Sequence, residues 1–174
     1  PYMEGASFSL IVKDVHNGET VFAYDTLRQL TPASVMKTVT TATALEILGE
    51  DYRFPTTLAY DGSIEKGLLK GNLYIKGSGD PSLGSAHFAP YHKRFLQEWI
   101  SALKKVGIHK IQGAVIADES IFDTEGTSFK WVGEDMGSYY GAGSYGLCVF
   151  DNLYKLGLQT GAPGSRPKLK GTEP

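Results

Sequence analysis

The stretch LTPASVMKTVTTATALEILGE, residues 30–50, decides how the chain is read. Thr31 ahead of Pro32 has the form of an N-cap followed by a proline at the first helical position, and Gly49 stands where a helix gives way to a left-handed residue. Val35, Val39, Ala42, Leu45 and Leu48 recur at helical spacing, which predicts a helix from about Pro32 to Leu48 with one buried face. Ser34 lies three residues before Lys37, so both sit on one side of the opening turn. Unpaired N–H groups in such a turn favour an alkoxide on the serine and an oxyanion nearby, which suits a nucleophile and its base.

The base must be a neutral amine. From an ordinary lysine pKa of about 10.4, reaching neutrality near pH 7 requires a drop of about three units, or about 4 kcal/mol. Burial or a neighbouring cation can supply it. The apolar residues after Lys37 offer burial, and no cationic neighbour is identifiable from the sequence. The spacing alone selects nothing, because Ser63/Lys66, Ser101/Lys104 and Ser165/Lys168 share it. Only Ser34 stands at a helix start: Ser63 follows a turn, Ser101 lies inside a second helix, and Pro167 separates Ser165 from Lys168. The competing reading is an ordinary core helix with a solvent-facing lysine.

Ahead of this helix, ASFSLIVK (6–13) and TVFAYDT (20–26) read as a hairpin closed at Asn17-Gly18. Beyond it the pattern predicts strands at Thr56–Tyr60 and Asn72–Lys76, a turn at Asp80-Pro81 in GSGDPSLG, a helix over about 87–106 closed by Gly107, and a strand at 111–118. Phe88, Tyr91, Phe95, Trp99, Ala102, Leu103 and Val106 share one side of that helix. From Trp131 the chain is rich in glycine and tyrosine, and LQTGAPGSRPKLKGTEP at the end has the composition of a loop or linker.

Composition narrows the function classes. With 174 residues, 41% hydrophobic content and a formal net charge of −2, the chain is globular in class and offers no basic face for nucleic acid and no polybasic membrane anchor. Cys148 is the single cysteine, so no internal disulfide forms, and it reads as a small apolar side chain. His16, His87, His92 and His109 do not assemble a full metal-ligand set with one another or with Cys148, so no metal site is expected. Asp118, Glu119, Asp123, Glu134 and Asp135 read as solvated carboxylates rather than an acid/base pair. Trp131, Tyr139, Tyr140 and Tyr145 among glycines suit either a ligand cleft or loop packing.

Taken in order, TPASVMKTVTTATALEILG, GNLYIKGSGDPSL, IQGAVIADESIFD and EDMGSYYGAGSYGL resemble the serine penicillin-binding proteins of the class C low-molecular-mass group, the D-alanyl-D-alanine carboxypeptidase/endopeptidases. The resemblance implies an α+β fold: the start of a serine β-lactamase/transpeptidase-like domain (antiparallel hairpin plus active-site helix) over 1–55, an inserted α+β domain over 56–145, and a further inserted segment or linker over 146–174. It implies that Ser34 is acylated, that Lys37 takes its proton, and that Trp131, Asp135 and Tyr140 lie where the side chain of a peptidoglycan stem peptide is received. β-Lactams are the implied covalent inhibitors, no cofactor or metal is implied, and the setting is periplasmic or extracellular, with neither a peripheral membrane anchor nor an oligomeric state visible in the sequence.

The family's serine-x-asparagine and lysine-threonine/serine-glycine motifs are absent from these residues, and KGT at 170–172 has the wrong order. The expectation is therefore an N-terminal part of such an enzyme with little activity alone. A non-catalytic peptidoglycan- or penicillin-recognition module is the alternative. A serine β-lactamase relative fits less well, since residues 50–145 resemble the carboxypeptidase insertion.

Overall fold

A computed structural model describes residues 4–91 and 94–173. The fold is mixed α+β, and the chain divides into two compact units, Pro1–Tyr52 and Arg53–Pro174.

In the first unit β1 (Leu10–Lys13) and β2 (Thr20–Tyr24) pair antiparallel, with an irregularity between Val12 and Lys13. The reversal is tied by the Gly18 N–H on the Asp14 carbonyl at 2.8 Å, with Gly18 at φ +75°, a conformation that costs glycine little. α1 covers Met36–Leu48 and ends at Gly49, whose N–H reaches the Leu45 carbonyl at 3.0 Å. Two expectations for α1 are corrected. It begins four residues later than Pro32, because Ala33–Val35 form a tighter turn of i→i+3 bonds and Thr31 caps nothing. Its apolar face is also uncovered: Val39 is 57% and Leu45 61% exposed, and no residue of α1 is buried.

The second unit is organised by two long parallel runs, each broken by a glycine. β5 (Leu68–Lys70) and β6 (Leu73–Lys76) are separated at Gly71, β7 (Lys110–Gln112) and β8 (Val115–Asp118) at Gly113. β5 pairs parallel with β7, and β6 with β8. A Cβ on Gly113 would collide with the Gly71 carbonyl, so glycine lets the two runs cross at the break. β3 (Thr57–Tyr60) adds antiparallel to β6, and β4 (Ser63–Glu65) to β5, giving three-stranded sheets β3-β6-β8 and β4-β5-β7. The expected single strand at 111–118 is thus two, and the hairpin β4–β5 is additional, turning at Lys66 (φ +50°) and Gly67 (φ +86°).

A parallel pair needs a crossover, and α2 (Arg94–Lys105) provides it. The continuous helix expected over 87–106 is divided. A 3-10 turn covers Ala86–Tyr91 with Phe88 outside helical geometry (φ −115°, ψ 52°), and Pro90 lacks the N–H an α-helix requires. His92 lies outside the described residues, as does the Tyr91 side chain. The far end of α2 closes as read: Gly107 N–H reaches Lys104 O at 3.0 Å and Ile108 N–H reaches Leu103 O at 2.9 Å, a Schellman pair. Of the face expected to be buried, Phe95 is enclosed and edge-on to Trp99 at 4.9 Å, whereas Phe88 and Val106 are exposed. Leu69, Leu73, Phe95 and Ile108 form the core, each worth about 1.5–3 kcal/mol of burial.

Residues read as a terminal loop form a hairpin instead, β9 (Lys155–Gln159) with β10 (Lys168–Glu173). Glycine and lysine are weak strand formers and hid it; the Gly/Pro-rich centre of that stretch is only the turn.

At the Gly71 break, Asp61 accepts hydrogen bonds from Asn72 N at 2.6 Å, Asn72 Nδ2 at 3.1 Å and the Tyr74 hydroxyl at 2.8 Å, while Asn72 Oδ1 accepts Ala114 N–H at 3.0 Å. The Asn72 backbone N–H, then the Tyr74 hydroxyl and the Asn72 side chain, hold the Asp61 carboxyl below the ordinary carboxylate range. A lowered folded pKa gives stability that is present above the unfolded value of about 3.9 and lost as pH falls through the folded value. Asp61→Asn is therefore expected to lower the melting temperature near neutral pH, with the gap to the parent closing in acid. Melts at both pH values check it, and a gap of constant size contradicts the linkage.

Candidate active site

Ser34 sits in the turn that feeds α1. Met36 N–H reaches Ala33 O at 3.2 Å, Lys37 N–H reaches Ser34 O at 3.0 Å, and Thr38 N–H reaches Val35 O at 3.1 Å. The residue at the cap position is Val35, with helical φ −64° and ψ −19° and no side-chain cap bond. The Ser34 hydroxyl is consequently not spent on capping. It accepts a hydrogen bond from Lys37 Nζ at 3.4 Å. Thr41 Oγ1 donates to the Lys37 carbonyl at 2.8 Å and ties the following turn to the one holding the lysine. Ser34 and Lys37 are both exposed, so the desolvation that the base role requires is not supplied within the first unit.

In the second unit, two 3-10 turns carry the other sequence candidates. Gly133–Asp135 and Tyr139–Gly141 bring the Tyr140 hydroxyl to Asp135 Oδ1 at 3.1 Å. Their closeness depends on Gly141, where a Cβ would collide with the Asp135 carbonyl. Trp131 lies on the same loop, 40% exposed, with its N–H on the Ser128 carbonyl at 3.0 Å. Asp135 is half-buried and Tyr140 is 61% exposed, so the pair presents a carboxylate and a phenol at the surface.

Asp118 has a different character. The Ser120 hydroxyl and then its N–H, the latter at 3.0 Å from Oδ1, hold its carboxyl below the ordinary range, so it stays ionised near neutral pH and is a poor proton donor. Asp80 accepts Ser82 N–H at 2.8 Å and Ser82 Oγ–H at 2.6 Å, which closes the turn read at Asp80-Pro81.

Sequence reasoning passed over one further group: Phe150, Asp151 and Asn152 adopt φ +52°, +57° and +51°, three left-handed residues in succession. The neighbouring Asp and Asn, which tolerate this region, were the only sequence signal.

With this geometry in view, the chain was compared with known proteins. A model of the D-Ala-D-Ala carboxypeptidase 3 (S13) family matches residues 1–174. The chain is 33% identical over 149 residues to the D-alanyl-D-alanine carboxypeptidase of Actinomadura sp. (strain R39), covering 86% of this chain and 26% of that protein. It is 29% identical over 133 residues to the D-alanyl-D-alanine carboxypeptidase DacB of Haemophilus influenzae, covering 76% of this chain and 26% of that protein. The crystal structure of penicillin binding protein 4 (dacB) from Haemophilus influenzae superposes with a TM-score of 0.74 at 28% identity, over 91% of this chain and 34% of that one. A structure of the same protein complexed with a β-lactam gives a TM-score of 0.62 at 26% identity, over 92% of this chain and 32% of that one. The chain thus spans about a quarter of the length of the curated relatives it matches.

Proposed function

The chain belongs to the D-Ala-D-Ala carboxypeptidase 3 (S13) family, and on that footing we propose that it carries the nucleophile of a serine D-Ala-D-Ala carboxypeptidase/endopeptidase acting on peptidoglycan stem peptides. Ser34 Oγ attacks the carbonyl joining two terminal D-alanines while Lys37 Nζ takes the hydroxyl proton. The C–N bond breaks, D-alanine leaves with that proton on its amine, and an ester remains on Ser34. Water then adds to the ester and cleaves it, and the serine recovers a proton. The observation that carries this reading is the 3.4 Å contact between Lys37 Nζ and a serine hydroxyl left free of capping at the start of α1.

A β-lactam meets the same serine, its ring amide opening in place of the D-Ala-D-Ala bond. Penicillin binding protein 4 of Haemophilus influenzae, with which this chain shares its fold, has been solved in complex with one. Enzymes of this family work in the cell envelope, and the periplasmic or extracellular face is proposed here. Residues 56–145 are proposed as an insertion in the catalytic domain, a reading supported at its start by the division of the chain after Tyr52, while the second unit continues to Pro174.

The experiment is release of D-alanine from a peptide ending in D-Ala-D-Ala by the protein together with its flanking sequence. Release that a penicillin blocks supports the proposal. No release alongside reversible penicillin binding points to a recognition module instead.

Asp135 and Tyr140, with Trp131 nearby, are proposed to receive the stem-peptide side chain, supported by the hydrogen bond that fixes the carboxylate. Asp135→Ala is expected to lower kcat/KM for stem peptides by about tenfold, in keeping with loss of a charged hydrogen-bond partner. Penicillin acylation, which lacks that side chain, is expected to change less. Parallel kinetics on the two substrates check it, and equal losses on both contradict the assignment.

A further inference from the structure

Of the aromatic series Trp131, Tyr139, Tyr140 and Tyr145, the first three are exposed and Tyr145 is half-buried. Its ring packs against two glycines. A Cβ on Gly126 would collide with ring atoms Cε1 and Cζ, and a Cβ on Gly143 would lie 2.8 Å from Cε2 and 3.0 Å from the hydroxyl oxygen. Neither glycine has a left-handed φ, so each position requires the space that the ring fills rather than glycine's backbone freedom. Gly126 and Gly143 are also the two ends of one loop, which the Ser144 N–H closes by reaching the Gly126 carbonyl at 2.9 Å. We propose that Tyr145 is a positioning residue: its ring clamps the ends of the 126–143 loop and thereby holds Asp135 and Tyr140 in the arrangement that receives a stem-peptide side chain. This deepens the proposed function and rests on the assignment of Asp135 and Tyr140 made there.

The interior of the loop does not fix its own placement. Among the described residues, the hydrogen bonds of residues 128–141 stay within that span. Trp131 N–H reaches Ser128 O, Asp135 N–H Val132 O, Met136 N–H Gly133 O, Ser138 N–H Asp135 O and Gly141 N–H Ser138 O, at 2.9 to 3.2 Å. The Tyr140 hydroxyl bond to Asp135 and the Lys130 N–H bond to Ser128 Oγ are equally local. Bonds of this kind shape turns and leave the seating of the loop to its ends. Phe129, Val132, Met136 and Tyr140 are exposed, so burial adds little to that seating.

The ends are anchored. Tyr145 N–H reaches Cys148 Sγ at 3.3 Å, and Asn152 Nδ2 donates to the same sulfur at 3.2 Å and to the Gly143 carbonyl at 2.7 Å. One residue beyond Tyr145, the Gly146 carbonyl accepts the Gly79 N–H at 2.7 Å, which ties the clamp to the segment that follows β6. Without the ring, Gly126 and Gly143 face a gap and the loop is free to leave its seat. A site that is assembled for only part of the time loses apparent affinity in proportion to that fraction.

Two measurements on the protein with its flanking sequence test this. In hydrogen exchange, Tyr145→Ala is expected to speed exchange at Trp131, Asp135, Met136, Ser138 and Gly141 about tenfold as one group, with Leu73 and Ile108 unchanged. In kinetics, it is expected to raise KM for a stem peptide about five- to tenfold with kcat and penicillin acylation within about twofold of the parent. Added to Asp135→Ala it is expected to cost less than about twofold more, because both changes remove one interaction. Tyr145→Phe keeps the ring and is expected to match the parent. Gly126→Ala leaves Tyr145 in place, crowds its ring, and is expected to reproduce Tyr145→Ala, so the result does not hang on the folding of one variant. Unchanged exchange in both variants, equal losses on stem peptide and penicillin, or full additivity with Asp135→Ala overturns the proposal. Asp135→Ala without effect on stem peptides overturns the receiving role of Asp135 in the proposed function, and the exchange result decides the clamp in either case.

Discussion

Ser34→Ala, made in the protein with its flanking sequence, is expected to abolish covalent capture of a fluorescent penicillin and to lower D-alanine release by about four orders of magnitude or more, the scale of loss when a serine nucleophile is removed. Within the turn at Ala33–Val35 the adjacent side chains are methyl and isopropyl, and the hydroxyls of Thr40 and Thr41 are committed to the Met36 and Lys37 carbonyls at 3.2 and 2.8 Å. The fold is expected to survive, because Val35 rather than Ser34 occupies the cap position and the serine side chain makes no capping bond. Loss of labelling with an unchanged melting curve is therefore the anticipated pair of observations; labelling at the parent rate removes Ser34 from the reaction.

Lys37→Arg keeps length and positive charge yet cannot give up its proton, so it separates a base from a charge. Acylation is expected to fall by about 10²–10⁴-fold, the usual contribution of a positioned base. An electrostatic role alone would leave the rate within a few fold of the parent. The same logic applies to residues 1–174 taken alone: Ser34 and Lys37 are exposed and 3.4 Å apart, so acylation of this stretch by itself is expected to be very slow. The proposed base role of Lys37 calls for burial of the amine or a second cation beside it. A longer chain bearing the serine-x-asparagine and lysine-threonine/serine-glycine elements is expected to label faster, and stoichiometric labelling of residues 1–174 at the same rate contradicts that requirement.

What the sequence revealed follows the range of the interactions involved. Gly18, Gly49 and Gly107 end their elements at φ values of +75°, +81° and +84°, and such chain-local signals were legible. The contact between Ser34 and Lys37 was legible for the same reason, since residues three apart on an opening turn lie on one face. The β4–β5 hairpin escaped because its strands have three residues each and its turn uses Lys66-Gly67 in place of a familiar Asn-Gly. The division before α2 escaped because apolar periodicity ran through Pro90, and the apolar face of α1, read as buried, is exposed because periodicity reports a preference for burial rather than the partner that provides it.

The Asp135–Tyr140 bond was not legible in the sequence, since it joins two 3-10 turns with no periodic signature; the family resemblance named the two residues without pairing them.

The most direct measurement is mass-spectrometric mapping of the protein after exposure to a penicillin, carried out with its flanking sequence present. An adduct confined to the peptide that holds Ser34, and absent from those holding Ser63, Ser101 and Ser165, is the expected result. An adduct on another residue, or none in a preparation that still releases D-alanine, contradicts the assignment of Ser34 and Lys37 as the acylating pair.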